Sequence, residues 1–137
     1  ANLEKILRNK IHRLKIEKKE KYLLYNSLEK IIFDLEKNNF INDLNYVLSK
    51  IRIFTFQGKS RIFIKNYLLQ KGISKNIIST SLDDLDEKDH NWEVKSAKKF
   101  ARKRGLGKCE SNREKDIGKM SRAGFNYNII KDILKIQ

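Results

Sequence analysis

A row of basic residues runs along one face of the helix predicted between residues 91 and 104. It follows the spacing i, i+3, i+4 and i+7, and its members, here called the basic row, are Lys95, Lys98, Lys99 and Arg102. Like charges at helix-neighbour spacing lower helix stability, and no acidic residue lies in the row to pair with them. A solvated helix face could account for such a row, but an anionic partner would offset the repulsion. The pattern therefore predicts a surface that binds nucleic acid or an acidic protein.

Basic residues outside the row extend this candidate surface. Lys103 and Arg104 continue the same helix, and further basic residues lie on neighbouring predicted helices. The complete set of candidate binding residues is Arg61, Lys65, Lys95, Lys98, Lys99, Arg102, Lys103, Arg104, Arg113 and Arg122.

The sequence is poor in residues for catalysis or metal binding. It contains one cysteine, Cys109, and two histidines, His12 and His90. A nucleophile with its base, or a zinc site, therefore lacks its components. The acidic run at residues 83–89 does not have the spacing of a calcium-binding loop, and we expect it to be a solvated linker. The sequence thus predicts a protein that is not an enzyme and that uses no cofactor or metal.

The composition is strongly basic. Lys and Arg total 31 against 17 Asp and Glu, which gives a formal net charge of +14 at pH 7. Such a charge attracts polyanions and acidic surfaces. No apolar run is long enough to span a bilayer, no signal-peptide pattern opens the sequence, and a single cysteine fits a reducing compartment. We expect a cytoplasmic monomer that does not contact membranes.

Local signals predict three helices between Asn42 and Leu82. Asp43, Ser60 and Ser74 can each cap a helix, because a side-chain oxygen accepts hydrogen bonds from the unpaired amides of the first turn. Gly72 suits the left-handed position that follows a helix C-terminus. Proline is absent from the chain and glycine numbers only 6, which also favours helices over a turn-rich β fold.

The junction around Gly72 occurs a second time. Segments Lys71–Leu82 and Ala123–Leu134 share Gly, Asn, Ile, Ile and Leu at a constant offset. In the second copy, Gly124 ends one helix and Asn126 caps the next. We therefore predict a positive φ angle at both glycines, and the recurrence indicates stacked supersecondary units.

The predicted fold is all-α and consists of tandem three-helix repeats. Residues 1–41 form an incomplete first repeat, whose second helix is predicted to end at Asn38–Asn39. Residues 42–88 form the middle repeat and residues 89–137 the third. In the third repeat, Ser111 and Glu114 have the spacing of a capping box.

Several spaced motifs resemble one protein family. They are Phe40–Asp43 with Tyr46-Val47, Gly58–Ile62, Lys71-Gly72-Ile73, Ala97–Gly107, and Met120–Phe125. Over roughly residues 38–135 the chain resembles the RecX family of RecA-recombinase regulators, most closely its alphaproteobacterial form. The departures are conservative: Val47 stands where the family has a small Ala, and Asn42 replaces the first acid of an Asp-Asp pair.

The resemblance implies a fold, a partner and an activity. The implied fold is an elongated, curved array of three-helix repeats. The implied partner is the RecA nucleoprotein filament, bound along its groove, with a possible weak direct contact to DNA. The implied activity is inhibition of RecA recombination and ATPase activity, as part of DNA repair, DNA recombination and the SOS response.

Two other functions compete with this interpretation. The three-helix units could act as helix-turn-helix-like DNA-binding modules of a regulator, although no dimerisation segment or base-reading cluster is evident. A general RNA-binding role is weaker, because no aromatic stacking platform is visible in the sequence.

Overall fold

The computed structural model describes residues 2–136, which are predominantly α-helical. The elements are α1 (Asn2–Arg13), α2 (Lys18–Gln57), α3 (Arg61–Gln70), α4 (Lys75–Lys88), α5 (Trp92–Arg104), a 3-10 turn (Glu110–Asn112), α6 (Arg113–Arg122) and α7 (Tyr127–Leu134). No strand occurs among these residues, so the predicted all-α class is confirmed. The arrangement into tandem repeats and its boundaries stay predictions.

The described residues divide into two compact units after Asn42. The first unit contains α1 and the first part of α2. Within it, the Arg8 guanidinium pairs with Glu4 and Glu29 at 3.1 Å each, and Leu28 is buried. Many of its apolar side chains are more than half exposed: Leu3, Ile6, Tyr22, Leu23, Ile31, Phe33 and Phe40.

Helix α2 is continuous, and this corrects two predictions. The helix end at Asn38–Asn39 and the N-cap at Asp43 are both wrong, because α2 runs through them from Lys18 to Gln57. Asn is only a moderate helix former, with a cost below about 1 kcal/mol relative to Ala, and this stretch contains no Gly or Pro that would stop the helix. A sequence needs a stronger signal than two Asn residues to end a helix.

The predicted glycine junctions are confirmed. Gly72 has φ 84° and Gly124 has φ 98°. After α3, the amide of Gly72 donates to the Leu69 carbonyl at 3.0 Å and the amide of Ile73 donates to the Leu68 carbonyl at 3.2 Å. This pair of bonds is a Schellman motif, which satisfies carbonyls that the helix end leaves unpaired. The same pair of bonds occurs around Gly124 after α6.

Three predicted caps form, and a second predicted cap fails besides that at Asp43. The side chains of Ser60, Ser74 and Asn126 accept hydrogen bonds from the third residue of α3, α4 and α7 at 3.1, 3.4 and 2.9 Å. The capping box of Ser111 and Glu114 is wrong, because Ser111 lies in the 3-10 turn and its hydroxyl is 2.9 Å from the Cys109 sulfur. The N-cap position of α6 is occupied by Asn112, which makes no side-chain cap.

The second unit contains two clusters of buried apolar residues. The first, from α2, α3, α4 and the start of α5, is Val47, Ile51, Phe54, Ile64, Leu68, Ile73, Ile77, Ile78, Leu82 and Trp92. The second, from α5, α6, α7 and their connections, is Ala97, Ala101, Leu106, Met120, Phe125, Ile129, Ile130 and Leu134. Helix α5 contributes to both clusters, so the position of its polar face is fixed on two sides.

The acidic run at residues 83–89 differs from its prediction as a linker. All but its last residue lie within α4, which ends at Lys88. Asp83 and Asp86 lie within ion-pair distance of Arg61, so these two carboxylates serve in tertiary structure.

Candidate functional site

Helix α5 carries the basic row and is held closely against the end of α2. Gly58, directly after α2, has φ 84° and is buried. A Cβ at Gly58 would lie 2.9 Å from the Ser96 carbonyl oxygen and 3.0 Å from the Phe100 amide nitrogen. Only a residue without a side chain permits this approach of the two backbones. The part of α5 that carries the basic row is therefore held in a fixed position against the end of α2.

One member of the basic row has an acidic partner that sequence reasoning did not identify. The Lys95 ammonium lies 2.8 Å from the Asp89 carboxylate. This hydrogen bond is the main reason why the pKa of Asp89 lies below its ordinary value, with a smaller contribution in the same direction from the Asn91 amide. Burial acts in the opposite direction. No acid lies within the row itself, but Asp89, which precedes α5, supplies a partner for Lys95.

Two lysines of α5 donate hydrogen bonds to carbonyls at the end of α2. The Lys99 ammonium donates to the Thr55 carbonyl, and the Lys103 ammonium donates to the Gln57 carbonyl, both at 3.3 Å. These carbonyls belong to the last turn of α2, where the partial negative charge of the helix favours cations. Both side chains thus help to stabilise the fold.

Lys98 and Arg102 differ from the other members of the row. Both side chains are exposed, and within residues 2–136 neither forms an ion pair or a side-chain hydrogen bond. They are separated by one helical turn on the solvent side of α5. Arg104 follows them, with its guanidinium 4.7 Å from the centroid of the Phe100 ring. Lys98 and Arg102 are the members of the row that can meet a partner without losing an internal contact.

Arg61 is engaged inside the second unit. Its guanidinium pairs with Asp83 at 3.0 Å and with Asp86. The second oxygen of Asp86 accepts a hydrogen bond from the Trp92 indole at 2.7 Å, and the Arg61 amide donates to the Glu93 carboxylate at 2.8 Å. This network connects the starts of α3 and α5 to the end of α4. Its members are mainly structural.

The remaining candidates lie apart from the basic row on other elements. Lys65 is exposed on α3. Arg113, at the start of α6, is half-buried and lies 3.7 Å from Glu110. Arg122, at the end of α6, is exposed and lines a groove beside α3.

A cluster of cations over aromatic rings was not predicted from the sequence. Its ammonium-to-centroid distances range from 4.7 to 6.0 Å, in the pairs Lys50 with Tyr46, Phe54 and Tyr67, Lys59 with Phe63, and Lys71 with Tyr67. Most of these pairs are four residues apart, so the spacing is a signal that the sequence offered. A hydrogen bond with Tyr46 lowers the pKa of Tyr67, and the charges of Lys50 and Lys71 act in the same direction. The cluster makes this side of α3 strongly electropositive.

Cys109 is exposed, and its surroundings favour the thiolate. The neighbouring Ser111 hydroxyl lowers the pKa of the thiol through a hydrogen bond, and the Ser111 amide acts in the same direction. No group of three His, Cys, Asp or Glu side chains suited to a metal ion occurs in the part of the chain that the structure describes. Over the same residues, no helix combines the length and apolar character needed to cross a bilayer.

The helical fold and its exposed cations are typical of a small binding protein that recognises a negatively charged partner. Comparison with known proteins identifies the family. "Regulatory protein RecX" of Myxococcus xanthus is 25% identical to this chain over 142 aligned positions, which cover 98% of this chain and 75% of the relative. The proteins of the same name from Clostridium botulinum (strain Eklund 17B / Type B) and Streptococcus agalactiae serotype V are 33% and 32% identical, over 80% and 84% of this chain. The chain belongs to the RecX family.

The comparisons also show how much of its relatives this chain covers and which parts of the resemblance lack support. The chain spans 53% and 46% of the Clostridium and Streptococcus proteins, about half of their length. The proposed likeness to the alphaproteobacterial form has no support among these relatives. No family model matches the chain, and no solved structure matches it.

Proposed function

We propose that this chain is a non-enzymatic modulator of the RecA recombinase, which binds along the groove of the RecA–DNA filament and restrains recombination and ATPase activity. Membership of the RecX family supports a regulatory role. The structural observation that carries the proposal is the pair Lys98 and Arg102, exposed and without internal partners on a helix that contributes to both clusters of buried apolar residues.

The electrostatics favour a polyanionic filament as the partner. A net charge of +14 on 137 residues raises the rate of association with negatively charged surfaces. If cations of α5 meet phosphates, binding releases condensed counterions and becomes strongly dependent on salt. If they meet acidic side chains of RecA, screening by salt weakens the contact in the same direction.

The proposal includes where and in what form the protein acts. We assign it to the cytoplasm, as a monomer that takes part in DNA repair and in control of the SOS response. A contact with RecA is its primary interaction, and direct contact with DNA is weak and secondary.

Binding to the RecA filament and to bare DNA separates this proposal from its alternative. Fluorescence anisotropy of the labelled chain should report tighter binding to RecA assembled on single-stranded DNA than to the same DNA alone or to duplex DNA. Tighter binding to bare duplex would instead favour a helix-turn-helix-like DNA-binding regulator. Absence of binding to the filament would contradict the proposed function.

A further inference from the structure

A groove with a volume of about 260 Å³ lies on the second unit, beside α3 and the turn that follows α6. One wall is a single face of α3, and its residues are Ile62, Phe63, Asn66, Tyr67 and Gln70. The opposite face of α3 packs into the core through Ile64 and Leu68. The other wall is the end of α6, with Arg122 and the turn at Ala123-Gly124.

The two walls are tied together at one end. The Ser60 hydroxyl, which caps α3, donates to the Ala123 carbonyl at 2.7 Å. A Cβ at Gly124 would lie 2.5 Å from the same hydroxyl oxygen, so this approach requires glycine. The groove is therefore preformed in the second unit. Binding of an occupant loses little conformational entropy in the groove walls, because they are already in place.

The lining of the groove combines apolar surface with one positive charge. Ile62 and Phe63 are 54% and 36% exposed, so both offer apolar surface to an occupant of the groove. Arg122 is the only charged residue of the lining. Its guanidinium lies back along α6 beside Gly118, and it forms no ion pair within residues 2–136. Asn66, Tyr67 and Gln70 add neutral polar groups.

Positive charges lie around the groove. Lys59 lies over the Phe63 ring at 4.7 Å, and Lys71 lies over the Tyr67 ring at 5.4 Å. No acidic side chain lines the groove. The local potential is therefore positive, and a negatively charged occupant is attracted.

We propose that this groove docks an acidic segment of a protein partner, with a carboxylate on Arg122 and a neighbouring apolar side chain on Ile62 and Phe63. The planar guanidinium matches a carboxylate, and the exposed apolar pair matches a side chain that nucleic acid lacks. The lysines around the groove would also attract nucleic acid, which is the other occupant that the experiments below distinguish. This inference rests on the proposed function, since the partner used to test it is RecA.

Charge reversal and apolar truncation test the groove. Arg122→Glu and Ile62→Ser should each weaken binding to RecA assembled on single-stranded DNA by at least about tenfold, or about 1.4 kcal/mol. Lys131→Glu is the matched control, because Lys131 is exposed on α7 and changes the net charge by the same amount. Circular dichroism confirms that the variants stay folded, which their exposed positions favour.

A photo-crosslinking amino acid at Gln70 identifies the occupant directly. Irradiation on the filament should give a crosslink to RecA at a segment that contains Asp or Glu. A crosslink to the DNA, or equal affinities of Arg122→Glu and Lys131→Glu, would overturn the groove assignment while the proposed function stands. If the unaltered chain does not bind the filament, the proposed function fails, and the assignment fails with it.

Discussion

Gly72 and Gly124 have similar backbone conformations but different surroundings. Both have positive φ, which L-residues with a side chain adopt at a cost of about 1–2 kcal/mol. A Cβ at Gly72 would meet no atom within 4 Å, whereas a Cβ at Gly124 would lie 2.5 Å from the Ser60 hydroxyl. That hydroxyl caps α3 and also bonds to Ala123, so its displacement removes two interactions.

Alanine substitution should therefore separate the two glycines. We expect Gly72→Ala to lower the free energy of unfolding by about 1–2 kcal/mol through backbone strain alone. Gly124→Ala should lower it by about 1–2 kcal/mol more, because the cap and the bond to Ala123 are each worth about 1 kcal/mol. Urea unfolding followed by circular dichroism measures both. Equal losses would contradict the tie between Ser60 and the turn at Gly124.

The pair of Lys95 and Asp89 gives a prediction about pH. Lys95→Met should raise the pKa of Asp89 toward its ordinary value, because the bond from Lys95 is the largest cause of its lowering. Since the pKa is lowered in the folded state, the pair stabilises the fold above the ordinary pKa of aspartate. That stabilisation is lost as the pH falls through the lowered pKa.

An NMR titration of the Asp89 carboxyl measures this shift. Lys98→Met is the control, because Lys98 contacts no carboxylate in the part of the chain that the structure describes. The difference in melting temperature between the unaltered chain and Lys95→Met should also shrink on acidification. An unchanged pKa of Asp89 in Lys95→Met would refute the assignment.

At the level of the element, α5 divides its cations between two tasks. The double variant Lys99→Met/Lys103→Met should lower the free energy of unfolding by about 0.6–2 kcal/mol, because both residues bind the terminal carbonyls of α2. The double variant Lys98→Met/Arg102→Met should leave it within about 0.5 kcal/mol, because it removes no internal contact. Urea unfolding of both variants measures the difference, and the opposite order of stabilities would contradict this division.

The helices show which features a sequence predicts well. Caps at Ser60, Ser74 and Asn126 and the left-handed glycines were predictable, because the interacting atoms lie within a few residues of each other. The continuity of α2 was not predicted, because Asn38–Asn39 resembles a helix end when read alone. Residues 33–42 are all exposed, so tertiary packing does not set the helix there; no Gly or Pro interrupts this stretch, and an established helix propagates through two Asn residues at small cost.

The candidate site was predictable in position but not in the roles of its residues. Helical spacing placed the basic row on α5, and the structure has it there. The contact of Lys99 with Thr55 and that of Arg61 with Asp86 join residues far apart in the sequence. Such pairs form through tertiary packing, which the periodicity of residue types in the sequence does not reveal. A row of like charges therefore cannot be divided into structural and free cations by spacing alone.

For the molecule as a whole, the two core clusters of the second unit are joined by a close backbone approach and by a hydrogen bond from a side chain to the backbone. Gly58 lies against Ser96 and Phe100, and Ser60 bonds to Ala123. Both contacts arise from the short turn between α2 and α3. This turn therefore holds α5 and the turn after α6 in place, so the backbone that carries the cations of α5 and Arg122 needs no ordering on binding, and only their side chains do.

Salt dependence of RecA inhibition tests the whole-molecule proposal. The unaltered chain should inhibit the ATPase activity of RecA on single-stranded DNA more strongly at about 50 mM than at about 200 mM salt, because counterion release and screening both weaken the contact. Lys98→Glu/Arg102→Glu should inhibit weakly at both concentrations, since its lost contacts are those that salt weakens. Lys75→Glu/Lys88→Glu, with exposed lysines on α4, has the same net charge, and its inhibition of RecA should stay close to that of the unaltered chain.

If both double variants lost inhibition equally, net charge would account for the effect and α5 would have no special part. If neither lost it at either salt concentration, Lys98 and Arg102 would belong to a solvated helix face.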